Sequence, residues 1–418
     1  MKRTYRNAIF AGLLLILAGC TSSPNARPDV LPRGEVRYRM VVQLGGDAVL
    51  RELARSAVDA RFEAALQLTQ EQIATSPGGW VPRFTHALLQ DTSVSLALYF
   101  SKPDNELSPT SDNEQVKQWL EREVDRALEI GYKILRGRLD ILDPRPHLTY
   151  KERKGRITIE TREPAHADRI RSLVQNQGKI GFWPTSSSAE FQPLLQQIND
   201  LSLEGYKLDS SLLPEEGLFE LDEEREMQKF RLLNPFLGKF NLQIPLLSDA
   251  PQVSYALPSD TAAINVYLRR AEARSLLPNH RLAWSFQAEI PDPEELMPPH
   301  LELIAIRDEG SDTPELDGRT ITKAFADFDP TGQPMIVFVL DRRGTETWAR
   351  LTRNEVGNSI AIVLDDHVLT APKVYSEITG GRSQITGQFE WEEVRDLAQI
   401  LDKGALPLPV RIISSETL

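Results

Sequence analysis

The stretch from residue 116 to residue 161 constrains this chain more than any other. Val116, Trp119, Leu120, Val124, Ala127, Leu128, Ile134 and Leu135 form one apolar stripe at three-to-four spacing, the period of an amphipathic helix. Asp143-Pro144 stops it, because the residue before a proline is pushed out of helical backbone. "HLTYKERKGRITIET" then reads as a hairpin. Leu148 and Tyr150 alternate, Lys154-Gly155 turns, and Ile157 and Ile159 alternate back. Ile170, Leu173 and Val174 mark a further helix, with Gly178 at its C-terminal end.

Upstream, Val36, Tyr38, Met40, Val42 and Leu44 alternate with polar residues as a half-buried strand does, and Gly45-Gly46 ends it. Residues 47 to about 74 have helical spacing, and residues 76 to 113 carry Pro and Gly breaks and a polar loop. "KIGFW" is a further strand. The order is β, an α insertion, α, β, β, α, β. Without the insertion this is the split βαβ, or ferredoxin-like, order.

From 188 to 330 the patterns weaken, and "EIPDPEELMPPHLELIAIRDEGSDTPELDG" suggests long surface loops. "PMIVFVLD" is a buried strand. Trp348, Leu351 and Thr352 lie on a helix ended by Gly357, and "SEITGGRSQITGQF" is a glycine-rich turn region. Trp391, Val394, Leu397, Ala398 and Leu401 form an amphipathic helix stopped by Gly404, and "PVRII" is the last strand. This closing helix and strand are expected to return to the first sheet. The fold class expected is therefore α+β: a ferredoxin-like base domain with a large inserted α+β head domain. The boundaries are a base at 36–187 plus 388–418, with a helical insertion at 47–113, and a head at 188–387.

The N-terminus reads as an address. Lys2, Arg3 and Arg6 precede an apolar run, Ala8 to Ala18, too short to span a bilayer. "LAGCTSS" resembles the bacterial lipobox, in which the chain is cut before a cysteine that then carries a diacylglycerol. Residues 1–19 are then a lipoprotein signal peptide, Cys20 the lipid attachment site and 20–35 a flexible tether. Cys20 is the single cysteine, so no internal disulfide is available. Thr21 and Ser22 lack the aspartate that in some bacteria retains lipoproteins in the inner membrane, which favours the outer membrane. No later apolar run exceeds strand length. The expected body faces the periplasm on a lipid anchor. A net charge of −12 argues against nucleic acid as a partner.

Asp365, Asp366 and His367 fall between two apolar runs. Successive side chains at a hairpin tip diverge, and Asp tolerates the positive φ of tight turns, so the reading is a turn and not a metal site. Gly380, Gly381 and Gly387 lack the Lys-Ser/Thr of a phosphate loop and read as backbone geometry. No nucleophile elbow and no zinc-binding helix motif occurs, and no cofactor is expected.

The C-terminal third carries a resemblance. "LDGRTITKAFADFDPTGQPMIVFVLD", "TWARLTRNEVGNSIAIVLDDHVLTAPKV" and "EITGGRSQITGQFEWEEVRDLAQILDKGALPLPVRII" resemble the first periplasmic domain of the SecD/SecDF family. These are auxiliary subunits of the bacterial Sec translocon. The elements N-x-G-x-x-[IL]-A-I-V-L-D, A-P after the turn, I-x-G-G, I-x-G-x-F and L-P-x-P occur in order. "VVQLGG", "VDRALEIGYKILRGRLDIL" and "IGFWPTSSSAEFQPLLQQIND" extend the likeness to about residues 35–418.

The resemblance implies a ferredoxin-like base and an inserted head that contacts emerging polypeptide and swings relative to the base. In the family that swing is driven by proton flow through charged transmembrane residues. This chain departs by a lipoprotein signal in place of the first transmembrane helix, by ending at "SSETL", and by "IETREP" where the family has "VELPG". The expectation is a lipid-anchored accessory protein in protein export, without its own proton-driven motor and not an enzyme. Its partners would be exported unfolded polypeptides, Sec translocon or SecDF components and, through the lipid, a membrane. Asp365, Asp366, Pro372, Gly380, Gly381 and Gly387 are candidates for shaping the head or contacting polypeptide. Two rivals remain: a structural envelope lipoprotein with one fixed protein partner, and an enzyme gathering Asp365 or Asp366 with a distant His or Glu.

Overall fold

A computed structural model describes residues 36–418 apart from 55–56, 76–78, 91–93, 104, 152–154, 204–222, 240–248, 290–297 and 312. The leader 1–19, Cys20, the tether 20–35 and the turn residue Lys154 lie outside the described residues.

The first sheet is built as the alternating strands require. β1 (Tyr38–Leu44) is followed by α1 (Gly46–Ala54), α2 (Ala60–Thr75), α3 (Trp80–Leu88), α4 (Ala97–Phe100) and α5 (Asn113–Leu139). Then come β2 (His147–Lys151), β3 (Arg156–Thr161) and α6 (Ala167–Gln175). The final strand, β14 (Val410–Thr417), returns beside β1, and the antiparallel order is β14-β1-β3-β2. With α1–α4 set aside, this is the ferredoxin-like arrangement. Tyr38, Met40, Val42 and Leu44 are buried in one core with Val116, Leu120, Val124, Leu128 and Leu135 of α5 and Ile170 and Leu173 of α6.

α3 and α4 occupy a stretch where Pro and Gly suggested only breaks. Pro82 sits in the first turn of α3, where its missing N–H has no helical partner to lose. Trp80, Val81, Phe84 and Leu88 supply the buried stripe, and Phe62, Phe84, Tyr99 and Phe100 pack ring to ring.

The remaining elements form three further sheets. They are β4 (Ile180–Pro184), α7 (Ser188–Leu203), α8 (Glu223–Leu233), β5 (Gln252–Ala256), α9 (Thr261–Leu268), α10 (Ala271–Ser275), β6 (His280–Trp284), β7 (Leu301–Arg307), β8 (Leu316–Asp317), β9 (Ile321–Phe328), β10 (Pro334–Leu340), α11 (Arg342–Asn354), β11 (Ile360–Leu364), β12 (His367–Thr370), β13 (Arg382–Thr386) and α12 (Trp391–Lys403). The sheet orders are β12-β11-β4-β8, β13-β10-β9 and β5-β7-β6. The β4/β11 sheet lies between the other two. Phe182, Ile360 and Ile362 share a core with Ile336 and Phe338, while Trp183, Ala361 and Val363 share one with Ala283, Ile304 and Ile306. All five residues of β11 are buried because both faces are covered.

Three expectations need correction. The strand 180–184 does not join the first sheet; it pairs with β11 and β8. Its first four residues are all buried, and the first sheet offers only one covered face. The closing helix also does not return with the last strand. Val394, Leu397, Ala398 and Leu401 of α12 bury in the β10/β11 core, and only Ile400 reaches the base core. The crossings therefore lie at 176–179 and 404–409, not at 187 and 388. Finally, the acidic, proline-rich stretch contains β7, whose Leu303–Ile306 are fully enclosed, and the glycine-rich stretch contains β13.

Candidate functional site

The two chain crossings between base and head run side by side, and Leu406 N–H donates to Gln177 O at 2.7 Å. Arg138, from the last turn of α5, holds both. Its guanidinium donates to Leu173 O (3.2 Å), Asn176 O (2.5 Å), Gln177 O (2.9 Å) and Gly404 O (2.8 Å). Arg138 is 0% exposed. Burial pulls its pKa down to about 10, opposed by the charge of Asp365, so it stays a cation at neutral pH.

Asp365 closes the other side of the outgoing crossing. Its carboxylate accepts from Gly178 N–H and Lys179 N–H at 2.9 Å each, and its own N–H donates to Lys179 O. Carbonyls of the segment thus face a cation and its amides face an anion. Gly178, at φ +79, has no room for a side chain: a Cβ would meet the Arg138 guanidinium and Ile400. Two more contacts brace the joint. Arg169 of α6 pairs with Asp396 of α12 through two hydrogen bonds (2.9 and 2.5 Å), and Gln399 donates to Gly137 O at 2.6 Å.

Asp365 (φ +48) and Asp366 (φ +70) form the two-residue turn between β11 and β12, as the sequence suggested. Asp366 has a side chain 93% exposed, with Arg281 3.9 Å away. Among the described residues neither aspartate's carboxylate is gathered with a histidine or glutamate; the His367 Nδ1 lies 3.1 Å from the Asp365 carbonyl. Pro372 is exposed, and its carbonyl accepts from Ile360 N–H. Gly381 receives Leu340 N–H on its carbonyl, and a Cβ there would lie 2.7 Å from Thr345 Oγ1. A Cβ at Gly387 would meet the Phe389 ring at 2.6 Å, whereas nothing approaches Gly380. These residues are thus spread along the hairpin and the β13 flanks and do not converge on one point. Among the described residues no group of three His, Cys, Asp or Glu is placed to hold a metal ion.

Arg138 escaped the sequence reading, although it occupies the position three residues after Leu135 on the apolar stripe of α5. A cation on a buried stripe is the signal that could have found it.

A family model for the SecDF P1 head subdomain matches residues 307–408. The protein translocase subunit SecD of Rhodothermus marinus is 30% identical over 379 residues, 89% of this chain and 59% of that protein. The SecD of Rickettsia typhi is 40% identical over 103 residues, 25% of this chain and 20% of that protein. A solved structure reported as "Structure and function of a membrane component SecDF that enhances protein export" aligns at 21% identity. It covers 70% of this chain and 94% of that one, with a TM-score of 0.36. The fold and the matched head define an α+β body of the base-and-head kind. The chain is SecD-like: it carries a SecD-like periplasmic domain. It spans 59% of the length of the Rhodothermus relative. No helix among the described residues is long and apolar enough to cross a membrane.

Proposed function

We propose that this chain is an accessory protein of protein export that contacts translocating or newly exported polypeptides from the periplasmic side. In this reading a lipid on Cys20 holds it to a membrane, preferentially the outer one, and it has no proton-driven motor of its own. It holds polypeptide and does no work on it, and no catalysis is involved.

The observation that carries the reading is the SecD match over 89% of the chain, with the head subdomain at its C-terminal end. The leader ending in Leu17-Ala18-Gly19-Cys20 supports the anchor. The contact surface proposed is the outer edge of β13. Among the described residues no strand pairs with β13 on the side away from β10. By contrast, the β12 edge is taken by Ser285 and Phe286, and Asp402 accepts the Ala324 N–H on the β9 edge. An open edge binds extended chains through backbone hydrogen bonds with little regard to sequence, as clients of many sequences require. Pro372, Gly381, Asp365 and Gly387 then act as framework for that edge and its neighbouring hairpin.

The test is capture from solution. Immobilised mature protein is offered a permanently unfolded, reduced and carboxymethylated secreted protein and the same protein folded. Retention of the unfolded form alone supports the reading. Indifference to both, with one stoichiometric partner recovered from envelope extracts, would transfer the protein to the structural-lipoprotein class.

A further inference from the structure

Immediately after β13 the chain forms the wall of a small pocket. Phe286, Val368, Leu369 and Phe389 line it with apolar surface, and Glu289 and Glu302 stand at its side. Its volume is about 210 Å³, room for one long side chain and not for a folded partner. None of the described residues lining it is lysine or arginine.

The carboxylates are under-compensated. Burial, then the charge of Glu289, holds the Glu302 carboxyl above the usual range, although Gln252 donates to it at 3.1 Å. Next to the pocket, burial also raises Glu393, whose carboxylate is bonded by Gln287. A second, independent feature points the same way. His300 is 2% exposed, and its Nε2 has no hydrogen-bond partner. Its Nδ1 lies 3.1 Å from the Pro298 carbonyl and so donates there. Its Nε2 lies 3.7 Å from Glu289 Oε2, beyond hydrogen-bond length. Two carboxylates beside an apolar wall, with a buried imidazole nitrogen that completes no hydrogen bond to either, form an arrangement that suits a cationic guest.

We propose that this pocket is a subsite for one arginine or lysine side chain of an extended polypeptide lying along the head. The assignment rests on the polypeptide-contacting reading above. The aliphatic stem of such a side chain packs on Phe286, Leu369 and Phe389 while its charged end reaches Glu289 and Glu302, the way long basic side chains divide between apolar and polar surroundings. The position just beyond β13 lets a strand added to that edge deliver the side chain. Backbone pairing at β13 is blind to sequence, so the pocket adds a preference for basic segments.

The experiment uses the mature chain and two fluorescent decapeptides of serine, threonine and valine. One has a central arginine; the other has citrulline there, which keeps the shape without the charge. The arginine peptide is expected to bind about ten-fold tighter at low salt, the order of one charge-assisted contact. Glu302→Gln and Glu289→Gln are each expected to reduce that preference to about three-fold or less. Far-ultraviolet circular dichroism confirms that these variants fold. Equal binding of both peptides, or a preference that survives both substitutions, overturns the subsite while leaving the polypeptide-contacting reading intact. If neither peptide nor the unfolded protein binds, that reading fails and the subsite falls with it.

Discussion

Replacing Arg138 by methionine removes a side chain that grips both crossings while keeping most of its volume. The magnitude follows from two opposed effects. The shift from 12.5 to about 10 corresponds to roughly 3 kcal/mol working against the buried charge, which methionine relieves. This penalty is fully present at neutral pH and eases only above about pH 10, so melts at pH 7 register all of it. Against the relief, the carbonyls of Leu173, Asn176 and Gly404 lose the Arg138 donor, while Gln177 O keeps the Leu406 N–H. An orphaned carbonyl costs about 1–3 kcal/mol where it is buried, as at Leu173, and less at the part-buried Asn176 and Gly404, where water can enter. The orphaning dominates, and the net destabilisation is about 3–5 kcal/mol, the range seen when one side of a buried charged network is removed. Differential scanning calorimetry should show the melting temperature falling by about 5 °C or more. Hydrogen exchange should accelerate at 176–179 and 404–406 before it does in the β1/β3 ladder. Arg138→Lys keeps the charge but presents three donors from one atom, so it should lose less. If Arg138→Met melts within about 1 °C of the parent and protection at both crossings is unchanged, Arg138 does not hold the joint.

Three other outcomes are expected. Gly178→Ala forces a Cβ against Arg138 and Ile400 at a φ of +79, and should destabilise by about 2 kcal/mol or more in denaturant titration. A double-mutant cycle between Arg169→Ala and Asp396→Ala should give a coupling of about 1–2 kcal/mol, because the pair is bidentate and mostly covered. Glu302→Gln should raise the melting temperature at pH 7. The raised carboxyl is faced by Glu289 and His300, with Gln252 bonded to it. Folding disfavours its ionised form, so that disadvantage is present above its raised pKa and vanishes as pH falls toward 4.5. The gap between variant and parent should therefore close over that descent; a gap constant with pH would contradict the burial argument.

The base was legible because its strands are one-sided. Tyr38, Met40, Val42 and Leu44 alternate with Arg39, Val41 and Gln43, and that largely polar alternation reveals both the strand and its buried face. β4 and β11 lack this directional signal. Covered on both faces, they read as continuous apolar runs that fit any interior sheet, and so 180–184 was assigned to the wrong one. β7 was hidden by its flanks: the apolar run Leu303–Ile306 sits within proline and acid that favour loops. The Asp365-Asp366 turn was readable because two adjacent residues at positive φ require tolerant side chains. Its second role, capping the amides of Gly178 and Lys179, was not, since those partners lie 187 and 186 positions away. The same holds for the pocket. Glu289 and Glu302 look like ordinary surface acids until Glu289–His300 bridging brings their backbones together.

The proposed function requires that the head edge formed by β13 hold many exported polypeptides in the living cell. The direct measurement is a photo-crosslinking residue at Gln384, on that edge, in the full-length protein expressed in its own cell. A ladder of adducts with diverse exported polypeptides is expected. Labelling would shrink when synthesis is blocked. A single adduct of fixed mass, or the same ladder from a position on the first sheet, would contradict it.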